Sequence, residues 1–248
     1  MEWEAVARAR QMLAGTVAPG RVEFPLGPAL RQCCGGVVTL AFDMADAAAC
    51  ERLESLEQAV RAGEPQVYLF GAGHVGKALA HALSPLPVRT VWVDERAAEF
   101  PDRLPPGIVQ HCVPDPLGVV AEMPAGAAML VLTHSHDLDF DLAAAGLSHG
   151  DLAYVGLIGS ATKRAKFLRR FRDKGGGAEA AGRLVCPIGG DAVRDKRPAV
   201  IAALAVAEVL TALAQYQPAE AAPVRDCIAC APGQRCDDAP APRLSRLP

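Results

Sequence analysis

The middle of the chain alternates short apolar runs with stretches of helical periodicity. The apolar runs are rich in Val, Leu and Ile, and they lie at residues 67–70, 90–93, 108–112, 129–133 and 154–158. Between and after them, apolar positions recur at helical spacing over residues 74–83, 117–122, 140–146 and 162–174. Strands that are continuously apolar are typical of a parallel sheet covered on both faces. Residues 65–216 are therefore predicted to form a Rossmann-like, doubly wound α/β domain.

The first part of the chain has fewer regular segments. Helices are predicted over residues 2–13 and 45–62, with one strand over residues 37–42 between them. These segments are too few for an independent core. Residues 1–64 are therefore predicted to form a small, partial α+β N-terminal domain, with Pro65 at its boundary.

The C-terminal part begins with a strongly apolar helix and ends in an irregular tail. The helix is predicted over residues 198–213, starts with Pro198 as a helix N-terminus allows, and is apolar nearly all round, so we expect it to be buried. Residues 217–248 are rich in Pro and Ala and show no periodicity. We expect this tail to be mobile.

Composition excludes several classes of protein. Of the 248 residues 51% are hydrophobic, which is ample for a packed core, and 25 Lys+Arg against 28 Asp+Glu leave no basic excess for binding nucleic acid. No apolar run reaches the about 18 residues of a membrane span; the nearest, residues 199–213, carries Glu208. Glu2 and Glu4 stand where a secretory leader needs positive charge. We expect a cytoplasmic protein whose partners are neither nucleic acid nor membrane.

A glycine-rich turn follows the first strand of the α/β domain. Gly71, Gly73 and Gly76 form a G-x-G-x-x-G pattern between a strand and a helix, the arrangement that binds the phosphates of dinucleotides. Asp94 ends the next strand, near where a ribose-binding acid belongs. The turn predicts a nucleotide or another phosphate-bearing ligand, unless the glycines serve packing alone. His74 either donates to a phosphate or a pterin-like ring, or faces solvent or the sheet.

Polar residues also follow the fourth strand, at the edge where open α/β sheets bind ligands. They include His134, Ser135 and His136, followed by Asp137. Three roles are compatible with this pattern: contact with a ligand, capping of the next helix, or binding of a metal by imidazole and carboxylate. No third and fourth metal ligand is evident nearby.

A second glycine-containing turn follows the fifth strand. Gly159 and Ser160 precede a helix whose first turns carry Lys163 and Arg164. Ser160 is a natural N-cap. The turn is interpreted as a second anion-binding position, and the alternative is a solvated helix face.

The eight cysteines of a cytoplasmic chain are more often free thiols or metal ligands than a disulfide framework. Cys33 and Cys34 are adjacent and precede two glycines, so they are candidates for soft metal ligands or sulfur carriers; the alternative is that each is buried and inert. The tail contributes three more, whereas a structural zinc site needs four ligands. These tail residues are Cys227, Cys230 and Cys236.

Taken together, these motifs resemble the XdhC/CoxI family, the accessory proteins of molybdenum hydroxylases. The resemblance covers most of residues 1–213. The motifs that carry it are, in order, QCCGG at 32–36, LFGAGHVGKALAHAL at 69–83, VWVDER at 91–96, LTHSHDLDFDL at 132–142 and YVGLIGSATKRAKFLRRF at 154–171. CPIG at 186–189 and KRPAVIA at 196–202 are closer to the xanthine dehydrogenase branch than to the carbon monoxide dehydrogenase branch.

The resemblance implies an accessory role without catalysis. Such proteins bind the molybdenum cofactor, a molybdenum held by a pterin dithiolene that carries a phosphate. They protect it while its sulfido ligand is installed and deliver it to apo-xanthine dehydrogenase. The implied partners are the molybdenum subunit of that enzyme, a cysteine desulfurase and a second copy of the chain. The residues of the two glycine turns, the histidine loop, Asp94, Cys33 and Cys34 would then bind the cofactor.

One departure from the family concerns the N-terminus. Family members usually begin with a further segment that carries a Gly-Ser-x-Pro-Arg motif, and this chain starts at the following helix. We therefore expect a truncated or short first domain and an incomplete cofactor site.

Two other functions compete with this one. An NAD(P)-dependent oxidoreductase would use the 71–76 turn and Asp94, with His134 or His136 as the acid or base. A nucleotide-binding regulatory module would use the same turn without chemistry. Adjacent Cys33 and Cys34 have no evident use in a plain dehydrogenase.

Overall fold

A computed structural model describes residues 1–26 and 36–217 of the chain. The chain divides into two compact units, and the division falls between Gly63 and Glu64. Cys33 and Cys34, the tail cysteines and the prediction of a mobile tail lie outside the described residues.

The first unit consists of two helices and a hairpin-like pair of strands. These elements are α1 (Glu2–Leu13), β1 (Gly20–Pro25), β2 (Val37–Phe42) and α2 (Ala47–Ala62). β1 and β2 pair antiparallel, with Phe24 opposite Val38. The Asp46 side chain caps α2 by accepting from the Ala49 amide at 2.7 Å. The strand β1 was missed by the sequence analysis, because alternation over six residues gives a weak signal.

The second unit is built on a six-stranded sheet in which every neighbouring pair is parallel. Its strands, in chain order, are β3 (Gln66–Phe70), β4 (Arg89–Asp94), β5 (Ile108–Cys112), β6 (Ala128–Val131), β7 (Tyr154–Leu157) and β8 (Leu184–Val185). Their order across the sheet is β5-β4-β3-β6-β7-β8. This order confirms the predicted Rossmann-like fold. It places the topological switch point between β3 and β6, where such sheets bind ligands.

Helices cover both faces of this sheet. They are α3 (His74–Leu83), α4 (Pro116–Ala121), α5 (His136–His149), α6 (Ala161–Asp173), α7 (Ala178–Gly182) and α8 (Pro198–Gln215). Successive strand residues enter different cores, with Leu69 beside Leu79 and Val209 and with Phe70 beside Leu142 and Phe167. Continuous apolar runs are therefore required in β3, β6 and β7, since both faces of these strands are buried, whereas the edge strand β5 is partly exposed.

The last helix is buried on one side rather than all round. Ala202, Ala205 and Val209 of α8 are buried, whereas Ala203 and Ala207 are exposed. Among the described helices, α8 is long and apolar enough to cross a membrane, with a mean hydropathy of 1.8. Core helices of compact domains meet the same criteria of length and composition.

Candidate functional site

The loops singled out by the sequence analysis follow three adjacent strands and meet at one edge of the sheet. Phe70 of β3 pairs with Val131 of β6, which pairs with Leu157 of β7. Backbone hydrogen bonds extend this pairing beyond the strands, from the Leu132 amide to Phe70 and from the Ile158 amide to Val131, each at 2.9 Å. The 71–76 turn, the 132–136 loop and the 158–160 turn therefore lie side by side. All of the candidate site residues that the structure describes lie at this carboxyl edge.

The three glycines of the first turn differ in whether the fold leaves room for a side chain at their position. Gly71 has φ +121°, and a Cβ there would collide with the carbonyl oxygen of Leu132. A Cβ on Gly76 would collide with the carbonyl oxygen of Gly71. Gly73 has φ −70°, and its Cβ would meet no atom within 4 Å. Packing therefore accounts for Gly71 and Gly76, and it leaves open space in front of Gly73 at the N-terminus of α3.

The first turn is held in place by two residues of β4. Trp92 donates its indole N–H to the Gly71 carbonyl at 2.9 Å, and the Asp94 carboxylate accepts from the Ala72 amide at 2.7 Å. Arg96 also donates to Asp94, through its backbone amide at 2.9 Å and through Nε and Nη2 at 3.0 and 2.9 Å. Both oxygens of this buried carboxylate thus accept hydrogen bonds from the protein. Its contact with a ribose stays a prediction.

Burial and hydrogen bonding act in opposite directions on Asp94. Burial raises the pKa of the carboxyl group, but the hydrogen bonds from Arg96 and from the Ala72 amide outweigh it, so the pKa lies below its ordinary value. Asp94 is therefore ionised at neutral pH, and the turn is anchored to a charged group.

A buried ion pair connects the other two loops. Asp139 of α5 is 1% exposed, and its Oδ1 accepts from the amide and the hydroxyl of Thr133, each at 2.8 Å. Its Oδ2 accepts from Nζ of Lys163, on α6, at 2.5 Å. The Ser135 amide in turn donates to the Thr133 hydroxyl at 3.2 Å. The 132–136 loop is thereby tied to the first turn of α6.

Thr133 and Asp139 belong to the polar segment predicted to follow the fourth strand, but they were not predicted as site residues. A signal for Asp139 was present, since helical spacing places it on the same face as Leu142 and Ala143, both fully buried. A carboxylate on a buried face requires a partner. Lys163 supplies it, so this ammonium group is engaged inside the protein, whereas Arg164 has no ion pair among the described residues.

The two serines are helix caps. Ser135 accepts from the Leu138 amide at 3.4 Å and Ser160 from the Lys163 amide at 3.3 Å. His134 Nε2 lies 3.5 Å from a carboxylate oxygen of Glu95, and both side chains are partly exposed. No group of three metal-ligating side chains occurs in residues 1–26 and 36–217, so the metal hypothesis for His134 and His136 gains no support.

The free space at this edge is unevenly distributed. A gap of about 10 Å³ lies at the ends of β4 and β6, bordered by Asp94, Glu95 and His134. A much larger cleft, of about 370 Å³, opens at the ends of β7 and β8. Residues 187–201 form most of its wall, and the sequence analysis named none of them as site residues.

Comparisons with known proteins agree with this architecture. A family model described as the XdhC Rossmann domain matches residues 67–209. The Escherichia coli (strain K12) protein YqeB, described as uncharacterized, is 30% identical over 164 residues, which are 65% of this chain and 30% of YqeB. The chain thus spans less than a third of the length of that relative. A crystal structure of a xanthine dehydrogenase from Bacillus halodurans superposes with a TM-score of 0.62 and 15% identity, covering 87% of this chain and 81% of that one. At this identity the likeness is one of fold.

Proposed function

The chain belongs to the XdhC family, and on that premise we propose that it is an accessory protein that binds the molybdenum cofactor, protects it during sulfuration and delivers it to apo-xanthine dehydrogenase. The cofactor is cargo in this proposal. The protein carries out no reaction on it.

The observation that carries the proposal is the open space in front of Gly73. Gly71 and Gly76 are accounted for by contacts with backbone carbonyl groups, whereas nothing in the fold requires a glycine at 73. A helix N-terminus presents unpaired N–H groups and a partial positive charge to an anion. A glycine at this point allows the terminal phosphate of the cofactor to approach the backbone of α3 closely.

The thiols supply the second part of the proposal. Cys33 and Cys34 would contact the molybdenum–sulfur end of the cargo, since thiolates are soft ligands. Cys186 is a poor candidate, because burial raises the pKa of its thiol and favours the neutral form.

Two observations favour cargo binding over hydride transfer. Both oxygens of Asp94 are engaged by Arg96 and Ala72, so a ribose would have to displace a protein donor. The gap beside Asp94 and His134, about 10 Å³, is also far smaller than the about 300–1,000 Å³ of typical ligand sites. An NAD(P)-dependent reaction is therefore not the function that we propose.

The proposal includes partners and a location. The protein would contact the molybdenum subunit of xanthine dehydrogenase and a cysteine desulfurase in the cytoplasm, and a second copy of itself. With a formal net charge of −3, binding to nucleic acid or to a membrane surface is not part of the proposal.

The proposal is tested by measuring the pterin content of the purified protein. We expect protein from cells that make molybdopterin to release a fluorescent pterin on acid oxidation, and protein from matched cells lacking molybdopterin synthesis to release none. Protein without pterin that instead binds NADH tightly in a calorimetric titration would contradict the proposal.

A further inference from the structure

The cleft at the ends of β7 and β8 has an apolar wall and a charged rim. Ile158, Ile188 and Ile201 form part of the wall, together with Pro187 and Val193. The charged side chains at the rim are Asp191, Arg194, Asp195 and Lys196. The volume of about 370 Å³ lies near the lower end of the about 300–1,000 Å³ typical of sites for small molecules.

The shape of the cleft is fixed by a hydrogen-bond network behind it. Glu208 of α8 accepts from the Tyr154 hydroxyl at 2.7 Å and from the Gly189 amide at 2.8 Å. Gly189 and Gly190 have φ +75° and +69°, so the chain turns sharply there, and a Cβ on Gly189 would come within 2.9 Å of Leu204. The segment that lines the cleft is thus tied to the helix and the strand beneath it, and the wall is preformed.

Among the described residues, the rim charges without an ion pair are two cations, Arg194 and Lys196, and one carboxylate, Asp191. Asp195 forms an ion pair with Arg197, whose Nη2 lies 2.6 Å from the carboxylate of Asp195. Arg194 and Lys196 form no ion pair within the part of the chain that the structure describes. An apolar wall beside two available cations suits a flat heterocycle that carries a phosphate.

We infer that this cleft, and not the smaller gap beside Asp94 and His134, holds the heterocyclic ring of the ligand, with Arg194 and Lys196 attracting the anionic ligand from the rim and its phosphate extending along the carboxyl edge toward the N-terminus of α3. The identification of that ring as a pterin rests on the proposed function. The cleft begins at Ile158 and Gly159, which directly follow β7, so it continues the carboxyl edge formed by the two glycine turns. Residues 187–201 thereby become the larger part of the binding site.

The experiment uses full-length protein from cells lacking molybdopterin synthesis, titrated calorimetrically with neopterin monophosphate, NADH and inorganic phosphate. One variant fills the cleft, Val193→Trp, and one reverses its charge, Arg194→Glu with Lys196→Glu. Matched controls are Val109→Trp and Arg52→Glu with Arg103→Glu, at exposed positions outside the cleft. Denaturant unfolding of every variant verifies that the fold is intact.

We expect neopterin monophosphate to bind the wild type, both cleft variants to bind it at least tenfold more weakly, and both controls to stay within twofold. If NADH binds instead and the cleft variants lose it, the inference holds and the proposed function fails. If neopterin monophosphate binds and the cleft variants bind it normally, the proposed function stands and the inference is overturned. Binding of inorganic phosphate alone, or of no probe, also overturns the inference.

Discussion

Lys163 places its ammonium group 2.5 Å from the carboxylate of Asp139, and both side chains are largely removed from solvent, at 13% and 1% exposure. The pair joins α6 to α5 directly below the carboxyl edge of the sheet. The same carboxylate fixes Thr133, so one buried charge sets the position of two of the three loops at the candidate site.

Removal of this carboxylate should destabilise the protein strongly. Asp139→Ala leaves Lys163 as an unpaired buried charge and the Thr133 amide without its acceptor, and we expect a loss of about 3–5 kcal/mol in the free energy of unfolding, measured with urea. Glu57→Ala breaks the exposed pair with Arg61 and serves as the control, with an expected loss below about 1 kcal/mol. Equal losses in the two variants would show that Asp139 and Lys163 are not coupled in the folded protein.

The hydrogen bonds to Asp94 should make stability depend on pH. Because the pKa of Asp94 is lower in the folded protein, its contribution is complete above the unfolded pKa of about 3.9 and is lost as the pH falls through the folded pKa. Asp94→Asn should cost about 1–3 kcal/mol at pH 7. The difference from the wild type should shrink in urea titrations below about pH 4.

A matched control for this experiment is Asp102→Asn, at an exposed position. We expect its free energy of unfolding to stay within about 0.5 kcal/mol of the wild type. A pH-independent difference between wild type and Asp94→Asn would mean that Arg96 and Ala72 do not stabilise the ionised form.

The parallel sheet was predictable because its central strands β3, β6 and β7 are buried on both faces, which leaves continuous apolar runs in the sequence. The glycine turn was predictable because a strand, a turn and a helix follow one another in the required order. The three loops that meet at the site were all predictable from the positions where strands end, and the segment 187–201 was not.

The rest of the site carries no periodic signal. β8 has two residues and α7 has five, so neither shows a repeat. The wall of the large cleft is irregular chain between β8 and α8, shaped by the contact of Gly189 with Glu208, and a hydrogen bond between residues 19 positions apart cannot be read from spacing. The apolar pattern of α8 likewise did not reveal that Ala203 and Ala207 face outward.

Substitutions of the glycines of the first turn should distinguish effects on the stability of the fold from effects on ligand binding. Gly71→Ala and Gly76→Ala each force a Cβ against a backbone carbonyl, and we expect losses of about 1–3 kcal/mol in the free energy of unfolding. Gly73→Ala should cost less than about 1 kcal/mol, since only the N-cap preference changes.

The matching measurement is pterin content after acid oxidation. Gly73→Val should keep the fold but retain at most a fifth of the wild-type pterin, because its side chain occupies the open space before α3. A folded Gly73→Val protein with full pterin content would mean that the turn is a packing device only.

The adjacent cysteines should matter for retention of the cargo and not for folding. Cys33 and Cys34 lie outside the described residues, so this prediction rests on the sequence and on the affinity of thiolates for soft metal centres. We expect Cys33→Ala and Cys34→Ala each to lower the pterin content of the purified protein at least threefold, because a contact with the molybdenum–sulfur end is lost. Cys50→Ala, at an exposed free thiol of α2, is the matched control and should retain the wild-type content. If both adjacent cysteines are dispensable and the Gly73→Val variant still loses pterin, the protein holds its cargo without a contact from these thiols.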